Sequence, residues 1–419
     1  MTNAGNEVQR VAVAIVGGGP SGLTAASELA PIVDGEVLVV EREAETGGIP
    51  RHSDHPGYGM RDLKRFISGP AYARRLTDSA RDAGAHLETE AMVTGWRGER
   101  TLEITSPRGR RTLAADAVVL ATGARERPRA ARLIPGDRPE GVYTTGQLQN
   151  LVHVHHANVG TSAVVVGAEL VSWSAVLTLR EAGCATVAMI SAYPHSEAYA
   201  AFRIPGRALL RGPRMTRSRV VSIDGKTRVR SVVVENVDTG ARTTIDCDTV
   251  ITTGDWIPDH ELSRTAGLTM DVDTRGPIVD ASLRTSKAGV FAVGNLVHPV
   301  DTADCAALEG RHVAPKVLGW LDGRSAAPQG IRVRTKPPFR WVTPQLITAD
   351  GGMAPRGDLL FWVDEYHRVP RLRAVQDGRT IGEKRTLWPA APGRIFRAPW
   401  SLVSGANPTG GGVTIELAV

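Results

Sequence analysis

Three glycines in the order Gly17-x-Gly19-x-x-Gly22 follow the apolar run Val11-Ala12-Val13-Ala14-Ile15-Val16, with Pro20 and Ser21 between the last two. Residues of this type and spacing make a pyrophosphate seat. The first glycine forms a tight strand-to-helix turn, the second lets a phosphate approach the backbone, and the third lets helix and strand close on each other. The helix N-terminus adds N–H groups with no intrahelical acceptor and a partial positive charge. A second apolar run, Val37-Leu38-Val39-Val40, leads into Glu41 and Arg42, and Glu41 stands nineteen residues after Gly22, where a carboxylate for a ribose hydroxyl is expected. The glycines alone are weak evidence; with a buried-type strand before them and an acid at this distance they are strong.

The pattern recurs in altered form. Ala163-Val164-Val165-Val166 runs into Gly167-Ala168-Glu169-Leu170-Val171-Ser172, with Glu at the second-glycine position and Ser at the third. Glu169 puts bulk and negative charge where a pyrophosphate would lie, which makes ordinary NAD(P)H binding there doubtful. After the following strand, Thr186–Ile190, the position that would choose between NAD and NADP carries Ser191-Ala192-Tyr193, neither acidic nor basic.

A loop after Gly47-Gly48-Ile49 holds Arg51, His52 and His55. Histidine there can move a proton near neutral pH or, with Arg51, hold an anion; plain loop hydrogen bonding is the competing reading. His153, His155 and His156 cluster without a supporting carboxylate pattern, so no metal is assigned to them. Cys184, Cys247 and Cys305 are far apart and form no C-x-x-C dithiol, zinc or iron–sulfur spacing, which argues against a disulfide relay.

The elements that position these groups read as strand–helix–strand units. Helices are expected through Leu29, over 70–83 and over 170–181, with Pro70 as a start signal and Gly84 as a stop. A strand near 91–93, a hairpin across Pro107-Arg108-Gly109 and a strand ending in Ala121-Thr122-Gly123 follow. Segments 228–236 and 241–247 read as paired strands, 290–294 as a buried strand, and 303–318 as a helix. From about 326 the chain turns rich in Pro, Arg and Trp, with strand-like runs at 358–364, 371–376, 380–386 and 413–417. The expected organisation is residues 1–125 and 271–325 as two parts of one dinucleotide domain, 126–270 as an inserted NAD-like domain, and 326–419 as a small β-rich domain. Trp341, Trp362, Trp388 and Trp400 serve its core or a partner-docking face.

The 419 residues are 42% hydrophobic, enough for two or three domains and a large core. The formal charge of +6 comes mostly from arginines interleaved with acids, which reads as a solvated surface and not as a nucleic-acid site. No apolar run reaches spanning length and the start lacks a signal-peptide core, so no membrane contact and a cytoplasmic location are expected.

Gly17-x-Gly19-x-x-Gly22, Glu41, Ala121-Thr122-Gly123, the unit at 163–191 and Val290-Phe291-Ala292-Val293-Gly294-Asn295 together resemble the flavoproteins with two dinucleotide-binding domains, such as the pyridine-nucleotide oxidoreductases. The resemblance covers roughly 10–325 and implies an α/β fold with FAD as cofactor. It sets Gly17, Gly19, Pro20, Ser21, Gly22, Glu41, Arg42, Gly48, Ile49, Val93, Thr122, Gly123, Gly294, Asn295, Thr302 and Ala303 along FAD. Thr302-Ala303 would face the flavin N1/O2 edge, and Asn295 replaces the family's acid at the ribityl chain. His298, Asp301, Asp304 and Cys305 follow closely; Asp301 also reads as a plain helix cap and Cys305 as a small buried residue.

Without C-x-x-C, the chain resembles the nucleotide-binding subunits of heteromeric proline dehydrogenase, opine oxidase and cyanide synthase more than a disulfide reductase. The expected role is a dehydrogenase, or a dehydrogenase subunit, that oxidises a small amine or hydroxy compound. Its electrons would pass to a second flavoprotein, an electron-transfer subunit or an external acceptor. An NAD(P)H-dependent reductase and a non-catalytic FAD scaffold or nucleotide sensor remain as alternatives.

Overall fold

From Val11 onward, Val8–Val16 is buried on both faces, as its unbroken apolar run requires of a strand inside a parallel sheet. In the computed structural model, which describes residues 8–418 except 195–197, 199–206, 325 and 351, this strand is central to a seven-stranded sheet. The order is His86–Glu88, Val37–Val40, Val8–Val16, Gly109–Leu120, Thr101–Ser106 and Met92–Trp96. Gly109–Leu120 pairs antiparallel with Thr101–Ser106 at its start and parallel with Val290–Ala292 at its end, so a late segment of the chain completes the first sheet. The strand expected near 117–123 is therefore the far end of one strand that begins in the hairpin. Helices α1 (Pro20–Leu29) and α2 (Gly69–Asp82) cover this sheet.

The second sheet is wholly parallel, in the order Val142–Thr144, Thr249–Thr252, Ser162–Val166, Ala185–Ile190 and Arg214–Met215. It carries α3 (Thr145–His153) and α4 (Leu170–Glu181), the latter with the bounds its pattern predicts. An antiparallel sheet of Ser218–Asp224, Ser231–Asn236 and Arg242–Asp246 packs beside it. Ser218–Asp224 has no clean alternation because its register shifts between Val220 and Ser222, and the sequence reading missed it. A two-stranded ribbon, Ala124–Glu126 with Trp256–Pro258, links the two halves.

The chain then enters α5 (Ala303–Leu321) and ends in two further sheets. One has five strands: Leu346–Thr348, Gly330–Thr335, Val413–Leu417, Arg371–Gln376 and Arg379–Arg385. The other has three: Phe339–Thr343, Asp358–Val363 and Phe396–Pro399. Phe339, Phe361 and Phe396 meet in the core of this β-rich part. Its shorter strands were not legible because Pro337-Pro338 and Pro344 break the runs. The Gln345 amide N–H donates to the Val279 carbonyl at 3.0 Å, and the buried Arg284 binds Asp280, Thr348 and Asp350, tying this part to the 279–284 loop. Among the described residues no helix is long and apolar enough to cross a membrane.

Candidate functional site

A cleft of about 1950 Å³ runs from the first glycine turn, past the 48–61 loop, to the altered turn. Gly17, Gly19, Pro20, Ser21, Glu41, Arg42, Gly48, Ile49, Val93, Thr122, Gly123, Asn295, Thr302 and Ala303 all line it, as do Arg51, His52 and His55. Gly22 and Gly294 lie behind the lining. A Cβ at Gly22 would stand 2.0 Å from the Gly17 carbonyl oxygen, and one at Gly294 would stand 2.8 Å from Ser21 Oγ. These two glycines allow close packing behind the cleft wall.

The first turn is an open seat. Gly17 has φ +107° and its Cβ would meet the Ala121 oxygen at 2.5 Å, whereas a Cβ at Gly19 would meet nothing within 4 Å. No side chain caps the start of α1 and no acid lies in its first turn, which leaves the first α1 amides without a side-chain acceptor beside the cleft-lining Gly19, Pro20 and Ser21. Glu41, buried at the end of Val37–Val40, is oriented by the amides of Gly18 (2.8 Å) and Glu43 (2.9 Å). Open space at the second glycine, free helix amides and a fixed carboxylate fit a dinucleotide.

The second turn is plugged by its own side chains. The Thr253 hydroxyl donates to Glu169 Oε1 at 2.6 Å, the Ala168 amide donates to Oε2 at 3.0 Å, and Ser172 Oγ lies 2.7 Å from Thr253 Oγ1. A Cβ at Gly167 would collide with all three side chains, at 1.9 Å from Thr253 Oγ1, 2.7 Å from Glu169 Oε2 and 2.9 Å from Ser172 Oγ. Glu169 is the N-cap residue of α4, so this carboxylate stands at the helix start, with no side-chain hydrogen bond to the first α4 amides. Nearby, Glu126 accepts the Gly146 amide at 2.8 Å through Oε2, while Oε1 has no hydrogen-bond partner. Burial pushes the Glu126 carboxyl up to about 7, with the Glu169 charge adding to the rise and the Gly146 amide opposing it.

The histidine loop joins the two halves. His55 donates from Nδ1 to the Pro56 carbonyl (2.9 Å), which leaves Nε2 to accept from the hydroxyls of Ser174 (2.6 Å) and Ser53 (3.1 Å). Both hydroxyls accept from the Gln149 amide, at 2.7 and 3.0 Å. Burial lowers the pKa of His55, and burial with the adjacent Arg51 charge lowers His52 to about 4. Both rings are therefore neutral at physiological pH, so of these three residues only Arg51 offers an anion a charge. Arg51 itself leans on Glu43 and Glu45, both at 3.8 Å. His52 keeps Nδ1 without a partner while lining the cleft. His153 is absorbed by the His52 carbonyl (2.6 Å) and Glu181 (3.1 Å), and His155 and His156 are exposed.

At the other end Asn295 holds the 295–302 loop. Its Nδ2 donates to the Asp301 carbonyl (3.2 Å) and its Oδ1 accepts the Asp301 amide (3.0 Å), an exchange that an aspartate could not complete. The N-cap of α5 is Thr302 and not Asp301, whose carboxylate instead accepts the Thr302 amide (2.8 Å) and pairs with Arg397 of the Phe396–Pro399 strand. Burial raises the Asp301 carboxyl, but Arg397 and His298 outweigh it and hold it below the usual range. Asp304 lines the cleft and binds Arg61. Cys305 and His298 lie outside the lining: burial pushes the Cys305 thiol up to about 12, and His298 forms a buried pair with Glu309. Sequence reasoning missed Glu126, Gln149, Ser174, Thr253 and Arg397. Glu126 alone had a local signal, three residues after the Ala121-Thr122-Gly123 turn.

One open seat and one plugged seat, each at the end of a parallel-paired strand and lining a shared cleft, define a flavoprotein of the two-dinucleotide-fold class. The chain belongs to the pyridine nucleotide-disulphide oxidoreductase family, whose model matches residues 11–310, and it is an FAD-dependent oxidoreductase. It is 29% identical over 298 residues to a thioredoxin reductase of Treponema pallidum (strain Nichols), covering 68% of this chain and 88% of the relative. It is 27% identical over 341 residues to an opine oxidase component of Agrobacterium tumefaciens (strain Ach5), covering 73% of this chain and 65% of that relative. The fold is similar to that of T. acidophilum thioredoxin reductase, with a TM-score of 0.63 at 20% identity over 76% of this chain and 100% of that one.

Proposed function

We propose that this chain is a flavin dehydrogenase, or the flavin subunit of one, that oxidises a small amine or hydroxy compound and hands the electrons to a partner. The observation that carries this reading is the Glu169–Thr253–Ser172 plug at the start of α4, set against the open start of α1. A hydride delivered by NAD(P)H needs a pyrophosphate seat in the second half, and a carboxylate in that seat repels phosphate. With no C-x-x-C in the sequence, the thioredoxin-reductase relative also lacks a counterpart here for a dithiol acceptor. The opine-oxidase relative, a subunit by its name, supports a role within a larger assembly.

Residues 1–125 and 271–325 form the FAD-holding part in this reading, 126–270 the modified second part, and 326–419 the β-rich addition. Bound FAD supplies a two-electron acceptor. Gly17, Gly19 and the α1 amides hold its pyrophosphate and Glu41 its ribose, while Thr302 and Ala303 start the helix facing the flavin. Neutral His52 lines the cleft just after Gly48 and Ile49, and its low pKa suits it to hydrogen-bond a substrate as an uncharged ring. The test is anaerobic titration of the yellow protein with NADH and NADPH. Unchanged flavin absorbance, followed by bleaching with dithionite, is the expected result. Fast bleaching by either nucleotide overturns the reading in favour of an NAD(P)H-dependent reductase, the alternative that the reductase relative favours.

A further inference from the structure

Three carboxylates and three guanidiniums meet at the first turn of α5. Asp301 pairs with Arg397, and Asp304 with Arg61. Half-buried Asp358 is acted on by the charges of Arg356 and Arg397 and by that of Asp301. Arg356 also donates to Cys305 Sγ at 3.2 Å, one residue beyond Asp304. His298, whose charge also acts on Asp301, is itself paired with Glu309. The set is neutral as a whole, and it adjoins Thr302 and Ala303, the residues assigned to the flavin edge. Asp301 accepts the Thr302 amide at 2.8 Å and Asp304 accepts the Cys305 amide at 3.0 Å, so both carboxylates stand against the amides that open the helix.

Two electrons add negative charge to a bound flavin, so a carboxylate beside it disfavours reduction and a cation favours it. The side chains of Asp301 and Asp304 are 5% and 3% exposed, which keeps water and salt from screening them. What balances them comes from two parts of the chain. The family-matched residues 11–310 contain Asp301, Asp304 and Arg61, two acids against one base and a net charge of −1. The C-terminal part brings Arg356, Arg397 and Asp358, two bases against one acid and a net charge of +1. Removing Arg397 therefore leaves a buried carboxylate uncompensated at the helix start.

We propose that the C-terminal sheet sets the reduction potential of the flavin: Arg397 neutralises the buried Asp301 carboxylate at the start of α5 and so keeps the bound flavin reducible. Arg397 acts through Asp301 and is a positioning residue. Arg61 does the same for Asp304 from within the flavin half. The assignment rests on the reading of Thr302 and Ala303 as the flavin edge, and it holds whichever reductant supplies the electrons.

The test is the midpoint potential of the full-length FAD-loaded protein at about pH 8, above the ordinary carboxylate range. It is read from flavin absorbance against a reference dye during anaerobic reduction. Arg397→Met is expected to shift the balance toward oxidised flavin about tenfold, lowering the potential by about 30 mV. Asp301→Asn keeps an acceptor for the Thr302 amide and removes the charge, so it should raise the potential by a similar amount. The double variant should return to within about twofold of the parent, or about 10 mV. A side chain needed only for packing would not be rescued by removing the charge of its partner. An unchanged potential in either single variant overturns the proposal, as does a double variant that stays with Arg397→Met. If Arg397→Met loses its fold, Asp301→Asn alone decides. A parent protein that takes up no FAD overturns the flavin assignment instead, and bleaching by NAD(P)H overturns the dehydrogenase reading, so the failures are distinguishable.

Discussion

The two glycine turns share a backbone and differ in what fills the start of the helix. At Gly19 the space is empty and the α1 amides wait for an anion from outside; at Glu169 the anion is built in and held by Thr253 and Ala168. The first amides of α4 are capped by no side chain either, so the difference between the two turns lies in the buried carboxylate that puts a negative charge where a phosphate would lie. The lesson is that a lost fingerprint need not be a decayed one: here the former seat is packed with a mutually bonded set.

Making the first turn resemble the second should have the largest effect. Gly19 has φ −83° and open space at its Cβ, so Gly19→Asp fits the backbone and brings only a misplaced charge. FAD affinity is expected to fall about 100-fold or more, read from the flavin-to-protein absorbance ratio after gel filtration. Retention of FAD would break the comparison. The reverse change, Glu169→Gly with Ser172→Gly, restores three glycines to the second turn. Binding of NADH or NADPH, measured by calorimetry, should tighten about tenfold relative to the parent. If it does not, the plug is not what excludes the nucleotide.

The acid beside the plug sharpens the contrast through pH. Glu126 ionises at its ordinary 4.5 when unfolded but keeps its proton to about 7 when folded, so stability falls as pH rises between those values and stays lower above them. Glu126→Gln keeps an acceptor for the Gly146 amide and removes that loss. It should gain about 3 kcal/mol over the parent above pH 7 and nothing below 4.5, measured by urea unfolding across pH. The smallest effect is expected of Ser174→Ala, which removes one hydroxyl between α4 and His55 and should cost about 1 kcal/mol. A change near zero in Tm would show that the halves are held together by other contacts.

What the sequence disclosed follows from how local each cause is. The first turn, Glu41 and the bounds of α4 are written in neighbouring residues, as a strand, a turn and a helix period. Thr253 is more than eighty residues from Glu169, and Arg397 almost a hundred from Asp301, so neither partnership leaves a mark in any short window. Asn295 was visible as a departure from the family's acid, but its reason was not: its amide serves the Asp301 backbone, while Asp301 supplies the carboxylate a few residues on. The C-terminal strands were half legible, because proline pairs interrupt runs whose partners lie far along the chain.

The hydrogen bonds of Gln149, Ser174 and His153 to the histidine loop have a bearing on how the halves move. They cross from two helices of one half to a single loop of the other, and a motion that parts the halves must break them together. The two walls of the cleft are thereby tied to each other at this loop.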